Sequence, residues 1–203
     1  MKKNRFVLAL TALVVMPLVA VVLLWATNTF YVKELQVFGE VPHFSLTERN
    51  GKTVAREDLS GKVWVASFIF THCAGQCPLL CEKLKRVQNK LRFKENFRLI
   101  SITMDPERDT PEVLAEYASR FEADPYKWLF LTGEKKNIDF LVQNGFRLAS
   151  EGPGGEGPES IIHSFKLVLV DSHQRIRGYY DGLEDDAVKQ LIKDARGLIR
   201  KSF

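Results

Sequence analysis

The stretch "FIFTHCAGQCPLLCEKL", residues 68–84, carries the clearest structural signal in this chain. It starts inside the apolar run "KVWVASFIF", whose β-branched and aromatic residues predict a strand buried on both faces of a sheet. Cys73 and Cys77 follow with three residues between them, and Cys81 comes four residues later. We therefore expect thiol chemistry at the point where a buried strand ends.

A helix is predicted directly after the cysteine pair. Pro78 suits the first helical position, because its missing N–H would have no partner there. The apolar residues that follow lie on one helical face: Leu80, Leu84, Val87 and Leu91. This places Cys77 at or next to the helix N-terminus, where free N–H groups and the helix dipole favour a thiolate. We expect Cys77 to act as a nucleophile or as a soft metal ligand.

The spacing of Cys73 and Cys77 leaves several roles open. It is one residue longer than that of a thioredoxin-type redox pair, so the loop can close a disulfide or let both sulfurs face one ion. Zinc usually takes four ligands in a structural site, whereas two thiolates and one imidazole suit Cu(I) better. Purely structural cysteines are the third alternative, although apolar burial would not favour the polar end of a helix.

The N-terminal segment predicts a membrane anchor. Residues 6–26 read "FVLALTALVVMPLVAVVLLWA", with one hydroxyl at Thr11, and as a helix they would be about 31 Å long. A cleaved signal peptide is the alternative, but its apolar region is usually shorter and ends in a small-residue cleavage site. Basic residues 1–5 predict a cytoplasmic N-terminus, with the rest facing the periplasm or outer surface of a single-pass inner-membrane protein.

The remaining composition is that of one globular domain. The chain has 203 residues, of which 45% are hydrophobic and 27% charged. Beyond the basic N-terminus, positive and negative charges nearly balance, so we expect no nucleic-acid partner. We divide the chain into cytoplasmic residues 1–5, the anchor 6–26, a linker 27–40 and a domain 41–203.

Strand and helix signals alternate along residues 41–203. Asn50-Gly51 predicts an N-terminal β-hairpin, while Thr110 and Pro111 predict an N-cap and first helical position. Further strands are predicted in "FRLISIT", "KWLFLTG", "IIHSFKLVLVD" and "RIRGYYDG", the last two joined by a turn at 172–174. Further helices are predicted at 138–144, ending at Gly145, and along the C-terminal apolar stripe. This order predicts an α/β fold around a mixed sheet flanked by helices.

Three stretches together resemble one known family. They are "FIFTHCAGQCP", "SITMDPERDTPEVLAEYASRF" and "HSFKLVLVDSHQRIRGYYDG". The set resembles the Sco/SenC copper chaperones of cytochrome c oxidase assembly, from about Val41 to the C-terminus and including the single anchor. The resemblance implies a thioredoxin-like fold, similar also to peroxiredoxins.

The resemblance also implies a copper site and a client. The copper ligands would be Cys73, Cys77 and His163, holding Cu(I), with Cu(II) as the alternative oxidation state. The client would be the copper-bearing subunit of the oxidase. The protein would deliver copper to the dinuclear copper site of that subunit or reduce thiols there. Another copper chaperone or a thiol reductant is a further candidate partner. Without the resemblance, a lone histidine near a strand is more often packed or hydrogen-bonded than metal-bound.

Several nearby residues have weaker assignments. We expect His72 to orient the cysteine loop and Asp105 to hydrogen-bond a ligand, with a plain turn role as its alternative. Met104 is expected in the core, and His43 and His173 at the surface. Cys81 departs from the family pattern, which usually has an apolar residue there. We expect it to be buried, with a resolving cysteine as the alternative.

Three functions follow from these expectations. The first is a membrane-anchored copper chaperone. The second is a thiol:disulfide oxidoreductase in which Cys73 and Cys77 reduce cysteines of the oxidase subunit or of other exported proteins. The third is a membrane-tethered binding module without chemistry. His163 separates the first two, because a metal site needs it and a disulfide exchanger does not.

Overall fold

The computed structural model describes residue 13 and residues 15–21, 34–73, 75–148 and 165–201. Its contacts divide the chain into two units, Met1–Glu34 and Leu35–Phe203. In the first unit, residue 13 and residues 15–21 are helical and exposed. The predicted anchor 6–26 lies mostly outside the described residues. Within the described ranges, no helix combines the length and apolar character that crossing a bilayer requires.

The second unit is built on one mixed sheet. Its described strands are β1 (Gly39–Glu40), β2 (Ser45–Glu48), β3 (Thr53–Ala55), β4 (Val63–Ile69), β5 (Phe97–Thr103), β6 (Trp128–Thr132), β7 (Lys166–Val170) and β8 (Arg175–Asp181). They follow the order β1-β8-β7-β4-β5-β6-β2-β3. The central strands β4, β5 and β6 are parallel, and the other pairs are antiparallel.

Helices cover both faces of this sheet. The described helices are α1 (Gln76–Leu91), α2 (Pro111–Arg120), α3 (Lys135–Phe140) and α4 (Asp185–Lys201). A 3-10 turn spans Arg56–Leu59, and a π-helical turn, Leu141–Gly145, continues α3. Apolar residues of α1, α2 and α4 pack on one face, and those of α3 and its π-helical turn pack on the other.

Strand β4 lies at the centre of both cores. All of its residues are buried, and they alternate between the two faces. Val65 and Ile69 join the cluster under α1, α2 and α4, whereas Trp64 and Phe68 join the cluster under α3. Burying each such side chain contributes about 1.5–3 kcal/mol. The predicted two-sided burial of this run is confirmed.

Other local predictions are also confirmed. The hairpin of β2 and β3 turns at Asn50-Gly51, and Gly51 has a φ of 81°, which favours glycine. Thr110 caps α2 by accepting a hydrogen bond from the Val113 N–H, with Pro111 at the first helical position. The helix before Gly145 begins earlier than predicted, at Lys135.

The start of α1 differs from the prediction. Gly75 is its N-cap and Gln76 its first residue, so Pro78 occupies the third helical position rather than the first. The first four N–H groups of a helix have no intrahelical acceptor, so proline is tolerated there as well. Cys77 therefore lies inside the first turn.

The short strand β1 lies in the stretch that the sequence analysis treats as linker. Gly39 and Glu40 pair with Ile176 and Arg175 of β8. Two residues are too few to show the alternation that identifies a strand. The lead-in is therefore hydrogen-bonded to the sheet, although its sequence gives no strand signal.

Candidate functional site

The cysteine loop lies at one edge of the sheet. Strand β4 ends at Ile69, and its parallel neighbour β5 ends beside it, because Ile69 pairs with Thr103. Strand β7 runs antiparallel to β4, with Ala66 opposite Val168, so β7 begins at this same edge. The carboxyl ends of parallel strands and the N-terminus of α1 thus meet here, where α/β proteins usually bind ligands.

Cys73 presents a partly exposed thiol. Its own N–H donates to the Phe70 carbonyl at 3.3 Å, which fixes the loop backbone. Partial burial alone would raise the pKa of Cys73. The backbone N–H groups of Cys77, Gly75 and Gln76, together with the Cys77 thiol, donate hydrogen bonds to its sulfur and hold the pKa below its ordinary value. Cys73 is therefore the more reactive thiol of the pair.

Cys77 has the opposite environment. Its side chain is 1% exposed, and burial raises the pKa of the Cys77 thiol to about 12. The Phe70 N–H opposes this shift, while Cys73 and the carboxylate of Asp109 add to it. The expectation that Cys77 carries the stabilised thiolate is wrong. The N–H groups at the start of α1 donate to the Cys73 sulfur, and the Cys77 sulfur lies within the protein.

Cys81 lies one helical turn further along α1, and its predicted burial is confirmed. It is 0% exposed and packs in the core under α1, α2 and α4. Its sulfur lies 3.8 Å from the Tyr117 hydroxyl, and burial raises the pKa of the Cys81 thiol to about 12. Burial also raises the pKa of the Tyr117 phenol. Both groups therefore stay neutral at physiological pH.

Asp109 is a buried residue that the sequence reasoning missed. Its carboxylate is fully buried and accepts hydrogen bonds from the Thr71 N–H at 3.1 Å, the Thr71 hydroxyl at 2.5 Å and the Thr103 hydroxyl at 2.5 Å. It thereby connects the end of β5 to the start of the cysteine loop. Its position between a Pro-containing turn and α2 gave only a turn signal.

The two weaker candidates lie around this carboxylate. His72 is exposed, with Nδ1 3.2 Å from the Thr71 hydroxyl and 3.8 Å from Asp109 Oδ1. Asp105 is half-buried, and its Oδ2 lies 2.6 Å from Arg108 Nε. The Asp105 N–H donates to the Thr103 hydroxyl at 3.0 Å. His72 thus contacts the loop as predicted, and the Asp105 side chain contacts Arg108.

The third predicted ligand, His163, lies outside the described residues, as does the predicted loop 151–159. In the ranges that the structure describes, no cluster of three or more histidine, cysteine, aspartate or glutamate residues is placed to hold a metal. The structure therefore brings together Cys73 and Cys77 of the predicted ligand set. Met104 is buried in the core, and His43 and His173 are exposed, as predicted.

A mixed sheet with a cysteine pair at the junction of a parallel strand and the helix that follows it is typical of thioredoxin-like proteins. Residues 33–200 match the SCO1/SenC family model, and the chain belongs to this family. The SCO1 protein homolog of Bacillus subtilis is 32% identical over 159 residues, which cover 77% of this chain and 81% of that protein.

Solved structures support the same assignment. BsSco, a member of the Sco family of cytochrome c oxidase assembly proteins in which a disulfide switch was identified, superposes with a TM-score of 0.70. It is 29% identical, and the match covers 82% of this chain and 97% of BsSco. ScoI of Bradyrhizobium japonicum, solved with copper bound, gives a TM-score of 0.61 at 28% identity, covering 76% and 98% of the two chains. The predicted thioredoxin-like Sco fold is confirmed.

Proposed function

We propose that this chain is a membrane-anchored copper chaperone that carries Cu(I) as cargo. It delivers the ion to the dinuclear copper site of cytochrome c oxidase, or assists assembly of that site. Cys73, Cys77 and His163 hold the ion. The observation that carries this proposal is the placement of Cys73 and Cys77 together at the ligand-binding edge of the sheet, between the end of β4 and the first turn of α1, where each thiol shifts the pKa of the other. Two adjacent sulfurs form a soft donor pair, which suits Cu(I).

Chain topology supports His163 as the nitrogen donor. Strand β7 begins at Lys166, beside the end of β4, and the described chain resumes one residue earlier at Phe165. Two residues reach at most about 7 Å, so a contact between His163 and the cysteine edge is within reach of the chain. Two sulfurs and one imidazole then complete a three-coordinate site for Cu(I).

The proposed location follows from the N-terminal segment. Residues 6–26 anchor the chain in the inner membrane, residues 1–5 stay in the cytoplasm and the domain faces the periplasm or outer surface. The copper-bearing subunit of the oxidase is the proposed client. Another copper chaperone or a thiol reductant would supply copper or electrons to the cysteine pair.

A second function is favoured by the unequal thiols. The partly exposed Cys73 has a lowered pKa, and the buried Cys77 has a raised one, which suits an attacking and a resolving cysteine. The Cys73 thiolate would attack a client disulfide, form a mixed disulfide and release one client thiolate. Cys77 would lose its proton and attack the Cys73 sulfur, closing the Cys73–Cys77 disulfide and releasing the second client thiol. Two electrons thus pass to the client.

Copper titration tests the first function against the second. Reduced wild-type protein should bind one Cu(I) in competition with a chelator, and His163→Ala should weaken binding by at least about 10–100-fold, because even residues outside the ligand set change affinity this much. Cys81→Ala is the control and should bind as wild type does. If His163→Ala binds Cu(I) as tightly as wild type while the disulfide still forms, the oxidoreductase becomes the better assignment.

A further inference from the structure

The carboxylate of Asp109 connects the cysteine loop to the end of β5. It accepts hydrogen bonds from Thr71, at the start of the cysteine loop, and from Thr103, the last residue of β5. We propose that Asp109 is a positioning residue that fixes the cysteine loop through Thr71 and so holds Cys73 against Cys77. This inference rests on the proposed function, because a fixed pair of sulfurs serves both copper binding and disulfide closure.

The restraint acts close to the reactive sulfur. Asp109 binds both the N–H and the hydroxyl of Thr71, which leaves that residue little rotational freedom. Two residues separate Thr71 from Cys73 in the chain, a reach of at most about 7 Å. The loop backbone is held again where the Cys73 N–H donates to the Phe70 carbonyl. Fixing Thr71 therefore limits where the Cys73 sulfur can lie.

The three donors use both oxygens of the carboxylate: Oδ2 accepts from the Thr71 N–H and the Thr103 hydroxyl, and Oδ1 accepts from the Thr71 hydroxyl. A carboxylate has two accepting oxygens and no donor, whereas an asparagine side chain has one accepting oxygen and an NH₂ group. In Asp109→Asn, an NH₂ group at the Oδ2 position would face the Thr71 N–H, which cannot accept, and one at the Oδ1 position would make the Thr71 hydroxyl turn from donor to acceptor. Asp109→Asn would thus leave a buried donor unpaired or replace the carboxylate's strong hydrogen bonds to Thr71 by weaker, uncharged ones.

A control distinguishes positioning from general stability. Asp171 is also a buried aspartate, 3% exposed, but it lies at the opposite edge of the sheet, because it follows Val170, which pairs with Trp64 at the start of β4. Losing the Asp171 carboxylate should weaken the fold without releasing the cysteine loop. A matched pair at position 71 adds a second comparison, since Thr71→Val removes the hydroxyl and Thr71→Ser keeps it.

The experiment measures two properties in the whole reduced chain. The first is the reduction potential of the Cys73–Cys77 pair without metal, measured against a glutathione buffer. The second is Cu(I) affinity, measured with the metal alone against a chelator. Thermal unfolding is recorded for each variant: Asp109→Asn, Thr71→Val, Thr71→Ser and Asp171→Asn.

The proposal predicts a shared pattern for Asp109→Asn and Thr71→Val. A released loop lowers the effective concentration of one thiol at the other, so the equilibrium constant for disulfide formation should fall about tenfold. That fall raises the potential by about 30 mV. Cu(I) affinity should fall about 10-fold or more. Thr71→Ser should restore both values, and Asp171→Asn should change only the unfolding temperature.

Two results would overturn the proposal. A wild-type reduction potential and a wild-type Cu(I) affinity in Thr71→Val would show that the Thr71–Asp109 hydrogen bond does not position the loop. This variant also keeps the test valid if Asp109→Asn does not fold. Equal shifts in Asp171→Asn would show a general loss of stability. If wild-type protein fails to bind Cu(I) but the potentials shift as expected, the proposed copper function fails while the positioning role of Asp109 stands.

Discussion

Two buried aspartates lie at opposite edges of the sheet and accept hydrogen bonds from different kinds of donor. Asp171 is bound by two guanidinium groups, Arg177 Nη1 at 2.8 Å and Arg175 Nε at 2.9 Å. Asp109 is held by hydroxyl and amide donors, and among the described residues no lysine or arginine forms an ion pair with it. The first carboxylate joins parts of one hairpin, and the second joins the cysteine loop to the core.

The two sets of partners suggest different roles: Asp171 stabilises the fold, whereas Asp109 positions the cysteine loop. Arg177 is 9% exposed, and besides Asp171 it binds the carbonyls of Leu35 and Gln36 in the lead-in. Asp171 thus belongs to a hydrogen-bond network that connects strand β8 to the lead-in. Asp109 contacts Thr71, two residues before Cys73, and Thr103, the last residue of β5, so its effect is local to the thiols. A change at either residue should therefore affect one property far more than the other.

The largest effect on stability is expected for Asp171→Asn. Removing one partner of a buried ion pair leaves charged groups without compensation, so the free energy of unfolding should fall by about 3 kcal/mol. Urea unfolding at neutral pH measures this loss. Unchanged stability would show that the arginines find other partners and would remove the contrast with Asp109.

The pH dependence of that stability loss sharpens the same comparison. Burial alone would raise the pKa of Asp171, but hydrogen bonds from Arg177, Arg175 and the His173 N–H hold it below its usual value. The stabilisation is therefore fully present above the unfolded-state pKa of about 3.9 and is lost as pH falls through the lower folded-state pKa. The gap between wild type and Asp171→Asn should narrow from pH 7 to pH 3, and a constant gap would contradict the assignment.

A smaller effect is expected for Cys81→Ala, which removes a buried sulfur beneath the site. The free energy of unfolding should fall by roughly 1 kcal/mol, because the side chain is small and fully buried. Copper affinity and stoichiometry should stay at wild-type values. Loss of most of the affinity would instead make Cys81 a ligand or a redox partner and would extend the site into the core.

Local signals in the sequence predicted much of the fold. The apolar run of β4, the Asn50-Gly51 turn and the Thr110-Pro111 helix start each depend on neighbouring residues, so each could be recognised without tertiary information. Strand β1 could not be recognised, because its two residues show no alternation and only their pairing with β8 defines the strand. The start of α1 was misplaced because Gly75 caps the helix before Pro78.

The candidate site was only partly predictable for a similar reason. The cysteine pair is visible as a motif, but which thiol is exposed depends on how α1 begins. Asp109 binds Thr71, a residue 38 positions away, so no local pattern marks it. In sequence, Asp105 and Asp109 are both turn aspartates, and only the packing of β5 against the cysteine loop distinguishes the buried one.

X-ray absorption spectroscopy of the Cu(I)-loaded protein tests the central claim most directly, because it counts the sulfur and nitrogen donors around the ion. The account predicts two sulfurs, from Cys73 and Cys77, and one imidazole nitrogen, which disappears in His163→Ala. Three sulfurs in wild type, or a spectrum unchanged by His163→Ala, would contradict it.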